Sequence, residues 1–280
     1  MTLAESLRQA QALGVARLDA QLLHLWVLGR PLHDRAWLLA HDEQVLTPAQ
    51  QQPLQALLRR RADGEPMAYL TGEREFYGLA LRVDARVLDP RADTETLVDW
   101  ALDSLPDTTG LRVIDLGTGS GAIALALQQQ RPQAEVLALD ASADALAVAQ
   151  ANAQRLGLPL RFAHGQWLAG IEGRFDLIVS NPPYIRDDDP HLPALRHEPR
   201  QALASGPDGL RDLRLIIAQA PTRLRPGGWL LLEHGHDQAA QVRALLLAAG
   251  FEAVQSRRDL AGIERCSGGQ WRPGGGAPAA

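Results

Sequence analysis

The 280-residue chain is 46% apolar, carries a formal net charge of −5, and draws all of its non-histidine positive charge from arginine. That apolar share supports one large or two modest cores and argues against a disordered chain, while an acidic balance without a long basic stripe argues against a dedicated nucleic-acid binder. The one cysteine, Cys266, excludes an intramolecular disulfide and a cysteine-rich metal site, so no metal is expected.

The opening stretch MTLAESLRQAQALG carries Glu5 and lacks the basic-then-apolar order of a signal peptide. LLHLWVLG is too short to span a bilayer, so no membrane association and a cytoplasmic location are expected. Residues 2 to about 62 show leucine and alanine at helical spacing in LAESLRQAQALG, RLDAQLLHLWVLG and TPAQQQPLQALLRRRADG. In the last of these, Thr47 is a candidate N-cap followed by proline, and Gly64 a candidate stop. EREFYGLALRVDARVLDP, ending at Pro90, then alternates apolar and polar residues around Gly78 and predicts a β-hairpin joining two domains.

From DTETLVDWALDSL onward, helical stretches alternate with short apolar runs. The runs are LRVIDLG, EVLALD, LRFAHG, FDLIVSN, GWLLLEHG and FEAVQSRR. This alternation predicts an α/β layer structure around a mostly parallel sheet. The expected organisation is a helical bundle over 1–72, a hairpin linker over 73–90, an α/β domain over 91–272, and a glycine-rich tail over 273–280 that buries nothing.

VIDLGTGSGAIALALQQQ sets Gly117, Gly119 and Gly121 between a buried strand and a helix. Glycines there permit a tight turn and let a ligand lie on backbone N–H groups at a helix start. The GxGxG spacing fits neither the dinucleotide fingerprint nor a phosphate loop, which needs a lysine. About twenty residues on, Asp140 ends the next strand, where a carboxylate can accept both ribose hydroxyls of a nucleoside. These features resemble the S-adenosylmethionine site of the Rossmann-like methyltransferases. A carboxylate such as Asp115 beside the turn suits the charged methionine end of a sulfonium cofactor better than a pyrophosphate. The candidate cofactor residues are Gly117, Thr118, Gly119, Ser120, Gly121, Asp140 and Asn181.

VSNPPYI, Val179 to Ile185, ends a buried strand on an asparagine locked by two prolines. Methyl transfer to a planar amide or exocyclic amine requires the NH2 group to be held. The Asn181 side-chain oxygen and the Pro182 carbonyl can accept its two N–H bonds. Pro183 stiffens the turn and Tyr184 offers an aromatic face to a flat acceptor. Asn181, Pro182 and Tyr184 are the candidate catalytic residues, and Asn181 to Tyr184 the candidate acceptor site.

Beyond these motifs, the chain closely resembles the peptide chain release factor N5-glutamine methyltransferases. The resemblance runs through PMAYLTGEREFYG (Pro66 to Gly78), PRADTE (Pro90 to Glu95), DLGTGSG, NPPYI, EPRQALASGPDGL (Glu198 to Leu210) and DLAG (Asp259 to Gly262), and covers essentially the whole chain. It implies a Rossmann-like seven-stranded sheet with a small N-terminal helical domain that docks the substrate protein. It also implies S-adenosyl-L-methionine as cofactor, with Trp167 at the edge of the adenine pocket and Arg91 and Glu95 shaping the acceptor cleft. The implied acceptor is the glutamine of the Gly-Gly-Gln motif in class 1 peptide chain release factors, with no direct nucleic-acid substrate. Two alternatives share the chemistry: a glutamine of a ribosomal protein, and N6 of adenine in nucleic acid, since Asn-Pro-Pro-Tyr also occurs in adenine methyltransferases. The chain departs from the family pattern at Asp89, Ala92, Gln166 and His234. SGGQW (Ser267 to Trp271) repeats the acceptor tripeptide on the last strand, where chance is the simpler account.

Overall fold

The computed structural model describes residues 1–106 and 108–273. The tail expected from 273 onward therefore lies, beyond Pro273, outside the described residues. The chain divides into two compact units, Met1–Glu73 and Arg74 onward.

The first unit contains α1 (Leu3–Ala12), α2 (Arg17–Val27), α3 (Arg35–Ala40), α4 (Pro48–Ala62) and α5 (Met67–Thr71). Helix α1 opens on a reciprocal cap. Glu5 N–H donates to the Thr2 hydroxyl oxygen while Thr2 N–H donates to the Glu5 carboxylate. Helix α4 starts at Thr47 with Pro48 in its first position, and its last turn carries Arg59, Arg60 and Arg61 against the negative end of the helix dipole. Leu3, Leu23, Leu25, Leu38, Leu54 and Leu58 form a core belonging to this unit alone. One polar pair sits in that interior: His24 Nε2 lies 2.8 Å from the Ser6 hydroxyl and Nδ1 is 2.6 Å from the Ala20 carbonyl.

The hairpin consists of β1 (Glu73–Phe76) and β2 (Leu79–Arg82). Tyr77 (φ 52°) and Gly78 (φ 78°) make its two-residue turn, the left-handed pair that matches the twist of the strands. It is shorter than the sequence pattern suggests. After Arg82, Asp84 Oδ1 accepts the Arg86 N–H and turns the chain, so residues 83–90 form no strand. In place of a third strand, the side chain of Asn152 accepts from Arg82 N–H (2.8 Å) and donates to its carbonyl (2.9 Å).

The sheet unit continues through α6 (Glu95–Ser104), β3 (Arg112–Leu116), α7 (Ala122–Gln130), β4 (Glu135–Asp140), α8 (Ala143–Leu156), β5 (Arg161–His164) and β6 (Phe175–Ser180). It ends with α9 (Arg211–Gln219), β7 (Leu224–Glu233), α10 (Ala239–Ala248), β8 (Phe251–Arg258) and β9 (Glu264–Trp271). Seven strands pair in the order β5-β4-β3-β6-β7-β9-β8. Strand β9 runs antiparallel to β7 and β8, and every other pairing is parallel. The protein is thus α/β, with a doubly wound sheet. Alternate residues of the central strands, including Ile114, Leu116, Ile178, Leu230 and Leu232, pack with Leu213, Ile216, Val242 and Leu246 of α9 and α10. The order reverses between β3 and β6. Their carboxyl ends therefore diverge into the crevice where open sheets of this kind bind ligands.

The Gly-Gly-Gln tripeptide lies within β9, paired on both sides. Its glycines have a packing explanation: a Cβ on Gly268 would lie 2.5 Å from Leu231 Cδ2, 2.6 Å from the Leu230 carbonyl oxygen and 3.2 Å from the Trp100 ring. Gly268→Ala is therefore expected to destabilise the fold by about 1–3 kcal/mol through overpacking, seen as a lower Tm in thermal unfolding; an unchanged Tm would mean the sheet yields there without cost.

Candidate active site

Strand β3 runs out at Leu116, and the chain turns through three left-handed glycines, Gly117, Gly119 and Gly121 (φ 71°, 57° and 85°), into α7. The neighbouring strand holds this turn. Gly117 and Thr118 N–H both donate to the Leu139 carbonyl (2.8 and 2.9 Å), and Gly119 N–H donates to Asp140 Oδ2 (2.9 Å). The other Asp140 oxygen accepts from Ser142 N–H at 2.8 Å, while the Ser142 side chain caps α8 by accepting from Ala145 N–H. Asp140 thus joins the glycine turn to the start of the next helix. Gly121 has a further reason to lack a side chain, since a Cβ there would lie 3.0 Å from Leu125 and 3.3 Å from Ala149.

A cavity of about 560 Å³ opens over this turn, within the size range of small-molecule sites. Its walls include Gly117 to Ser120, Asp140, Gln166, Trp167, Asn181 and Pro183. Trp167 is held at φ 53°, an uncommon backbone state for a tryptophan, with its indole N–H donating to Asp212 Oδ1 at 3.2 Å. Its ring lies against Gly117, where a Cβ would come 3.5 Å from Cζ3. Asp212 is itself fixed from the other side, because its Oδ2 accepts from the Ser205 hydroxyl (2.6 Å) and from Arg211 (3.1 Å).

At the end of β6, Asn181 Nδ2 donates to the Thr94 hydroxyl oxygen at 3.2 Å. Pro182 is buried and does not line the cavity. Tyr184 also lies outside its lining: the hydroxyl donates to Glu233 Oε1 (3.2 Å), and the Tyr184 carbonyl accepts from Gln238 Nε2 (2.9 Å). Burial and the neighbouring Glu233 charge push the Tyr184 phenol well above its ordinary range. Arg91 lines the cavity and is tied to Glu198 (2.5 Å). Glu95 instead accepts the Tyr77 N–H of the hairpin turn, away from the cavity lining.

Residues 94–206 match the methyltransferase small domain, and residues 2–72 match the PrmC N-terminal domain. A release factor glutamine methyltransferase of Bordetella pertussis is 54% identical over 260 residues, covering 91% of this chain and 95% of that protein. The chain belongs to the release factor glutamine methyltransferase family. A second member, from Coxiella burnetii, is 48% identical over 89% of this chain and 90% of its own. Among solved structures, the Thermus thermophilus 16S rRNA N2 G1207 methyltransferase, in complex with AdoMet and guanosine, shares the fold. It superposes with a TM-score of 0.53 at 21% identity, over 71% of this chain and 50% of that one.

In this family member the structure brings Gly117, Thr118, Gly119, Ser120, Asp140, Trp167, Asn181 and Pro183 to one cavity, while Gly121 shapes the turn from beneath. Asp115 is a correction. It is fully buried under the turn, where Oδ2 accepts from the Thr118 hydroxyl (2.7 Å) and Ala124 N–H (3.2 Å), and it does not reach the cavity wall. Thr94 and Asp212 are contacts that reading along the chain does not reveal. The PRADTE segment containing Thr94 carried a family signal, but nothing local connects it to Asn181. His234, one of the departures from the family pattern, has both ring nitrogens engaged, by the Gly235 carbonyl and the Ser267 hydroxyl.

Burial pushes the Asp115 carboxyl up to about 7, assisted by nearby Asp140 and opposed by its two hydrogen bonds. The folded protein thus holds this proton more tightly than the unfolded chain does, so ionisation costs stability as pH rises from about 4 to about 7. Asp115→Asn removes that cost. Its Tm relative to wild type should improve as pH is raised through this range, and a pH-independent difference in calorimetric scans would show that Asp115 is already ionised in the fold.

Proposed function

We propose that the protein transfers a methyl group from S-adenosyl-L-methionine to the side-chain amide nitrogen of the glutamine in the Gly-Gly-Gln motif of class 1 peptide chain release factors. The observation that carries this reading is the position of Asn181 on the wall of the cavity formed by the glycine turn and Asp140, with its Nδ2 engaged by Thr94. Family membership supports the acceptor. The fit of the residues supports the cofactor: a turn in which every second residue is a glycine without a side chain, a carboxylate at the end of β4 and an indole ring beside Gly117 suit a nucleoside.

When bound, S-adenosyl-L-methionine supplies a methyl group on a positively charged sulfur, leaving the protein mainly the tasks of positioning and charge complementarity. Asp140 would hold the ribose hydroxyls, and Trp167 would border the adenine. Because Nδ2 is engaged by Thr94, Asn181 Oδ1 is left to accept an N–H of the glutamine amide, and the second is assigned to the backbone carbonyl of Pro182, the next residue, whose ring is buried outside the cavity lining. Holding both N–H bonds orients the nitrogen and favours the pyramidal geometry of the transition state. Tyr184, anchored through its hydroxyl and carbonyl, stiffens this turn from behind.

The N-terminal helical domain expected over residues 1–72 is assigned to docking of the release factor. Trp26, Leu39 and Val45 expose 43%, 62% and 65% of their surface there, apolar area available to a protein partner. The intervening 73–90 segment joins it to the methyltransferase domain at 91–272. No helix among the described residues is long and apolar enough to cross a membrane, and the reaction belongs where release factors act, in the cytoplasm.

Labelled S-adenosyl-L-methionine offered with a release factor, a ribosomal protein or DNA should mark the release factor alone, on its Gly-Gly-Gln glutamine; label on DNA would overturn the assignment. Asn181→Ala should lower kcat by roughly two to three orders of magnitude, as for loss of one preorganised transition-state partner, with cofactor Kd little changed. Asp140→Ala should weaken cofactor binding about ten- to a hundredfold by calorimetry, and an unaltered Kd would remove Asp140 from the site.

A further inference from the structure

Behind Asn181 stands a chain of buried partners that its own segment does not contain. Thr94, which accepts from Asn181 Nδ2 at 3.2 Å, is only 4% exposed. The Tyr184 hydroxyl donates to Glu233 Oε1, on the last residue of β7, which is 1% exposed, and the Thr94 hydroxyl lies beside the same carboxylate and favours its charged form. Three segments therefore meet here: the turn before α6, the strand end carrying Asn181 and Tyr184, and the end of β7. Glu233 Oε2 is buried with no hydrogen-bond partner among the described residues, so this carboxylate retains acceptor capacity.

A side-chain amide can rotate by half a turn with almost no change in shape, exchanging its acceptor for its donors. Only one orientation serves an NH2-bearing acceptor, with oxygen towards the substrate. The reversed amide would present donors to donors. Packing cannot distinguish the two states, but hydrogen-bond polarity can. An ionised carboxylate offers no proton, so the single Thr94 proton is drawn to Glu233, and the Thr94 lone pairs are left facing Asn181. Only Nδ2 can answer them.

We propose that Glu233, acting through Thr94, is the positioning residue that fixes the orientation of the Asn181 amide and so selects an acceptor that presents N–H groups. The proposal rests on the reading of Asn181 given above. Burial raises the Glu233 carboxyl to about 7, while the hydroxyls of Thr94 and Tyr184 and the charge of Arg265 oppose the rise. Above that pH the carboxylate is acceptor-only.

The test uses the full chain with a release factor and labelled S-adenosyl-L-methionine at a pH above that value, measuring kcat, KM, cofactor Kd and Tm. Thr94→Val and Glu233→Gln should each lower kcat about ten- to a hundredfold, with cofactor Kd unchanged. Thr94→Ser, which keeps the hydroxyl, should restore most of the turnover. If Thr94 acts through Asn181, Asn181→Ala with Thr94→Val should be no slower than Asn181→Ala alone. Additive losses in the double variant, or wild-type kcat in Thr94→Val, would overturn the proposal. Should Thr94→Val melt too low to assay, Glu233→Gln, which preserves volume, carries the same test. Wild-type turnover in Asn181→Ala would instead defeat the role of Asn181 itself, a result separable from any seen at Thr94.

Discussion

Two N–H groups converging on the Leu139 carbonyl, from Gly117 and Thr118, hold the glycine turn against the end of β4. A turn with three left-handed glycines has much conformational freedom to lose on folding, and these bonds, with that from Gly119 to Asp140, restrict it. The strand order supplies the opportunity. Because β3 lies between β4 and β6, the turn that follows it is flanked by Asp140 on one side and by Asn181 on the other. Moving either neighbour would leave the same motifs in the sequence without a shared cavity.

The site is supported by polar groups taken out of water. Asp115 beneath the turn, Asp212 behind the tryptophan and Glu233 behind the asparagine are all nearly or fully buried. Each faces named donors: Thr118 and Ala124, Trp167 and Ser205, and Tyr184 and Thr94. Burying carboxyl groups costs stability unless hydrogen bonds offset it, and a buried polar group accepts few geometries. Their energetic contribution to folding is therefore small or adverse, while their contribution to fixing side-chain direction is large. The carboxyls of Asp115 and Glu233 are raised to about 7, which reflects how much of their desolvation remains uncompensated.

The tripeptide in β9 shows how a motif can mislead when read without its surroundings. Gly268 and Gly269 repeat the acceptor sequence, yet both positions are crowded, by Leu231 and Trp100 at the first and by Phe251 and Val254 at the second. Gln270 donates to the Gly227 carbonyl at the sheet margin. Close approach of the packed layers accounts for the glycines without any reference to the reaction.

Reading along the chain was sufficient for the α/β class, the six central and edge strands before β9, the capped start of α4 at Thr47, and the gathering of the glycine turn, Asp140 and Asn181 at strand ends. Those features are written in short-range terms: apolar periodicity, the φ freedom of glycine, and the stiffness of proline. The sequence could not show that Asp115 turns beneath the loop, that Tyr184 faces Glu233, or that the hairpin ends at Arg82. Nor could it pair Asn181 with Thr94, 87 residues away, or Trp167 with Asp212, 45 residues away. Such contacts depend on which strands become neighbours and on which buried donor finds which acceptor. Those choices are made only when the whole sheet closes, because no local pattern encodes a hydrogen bond between distant segments.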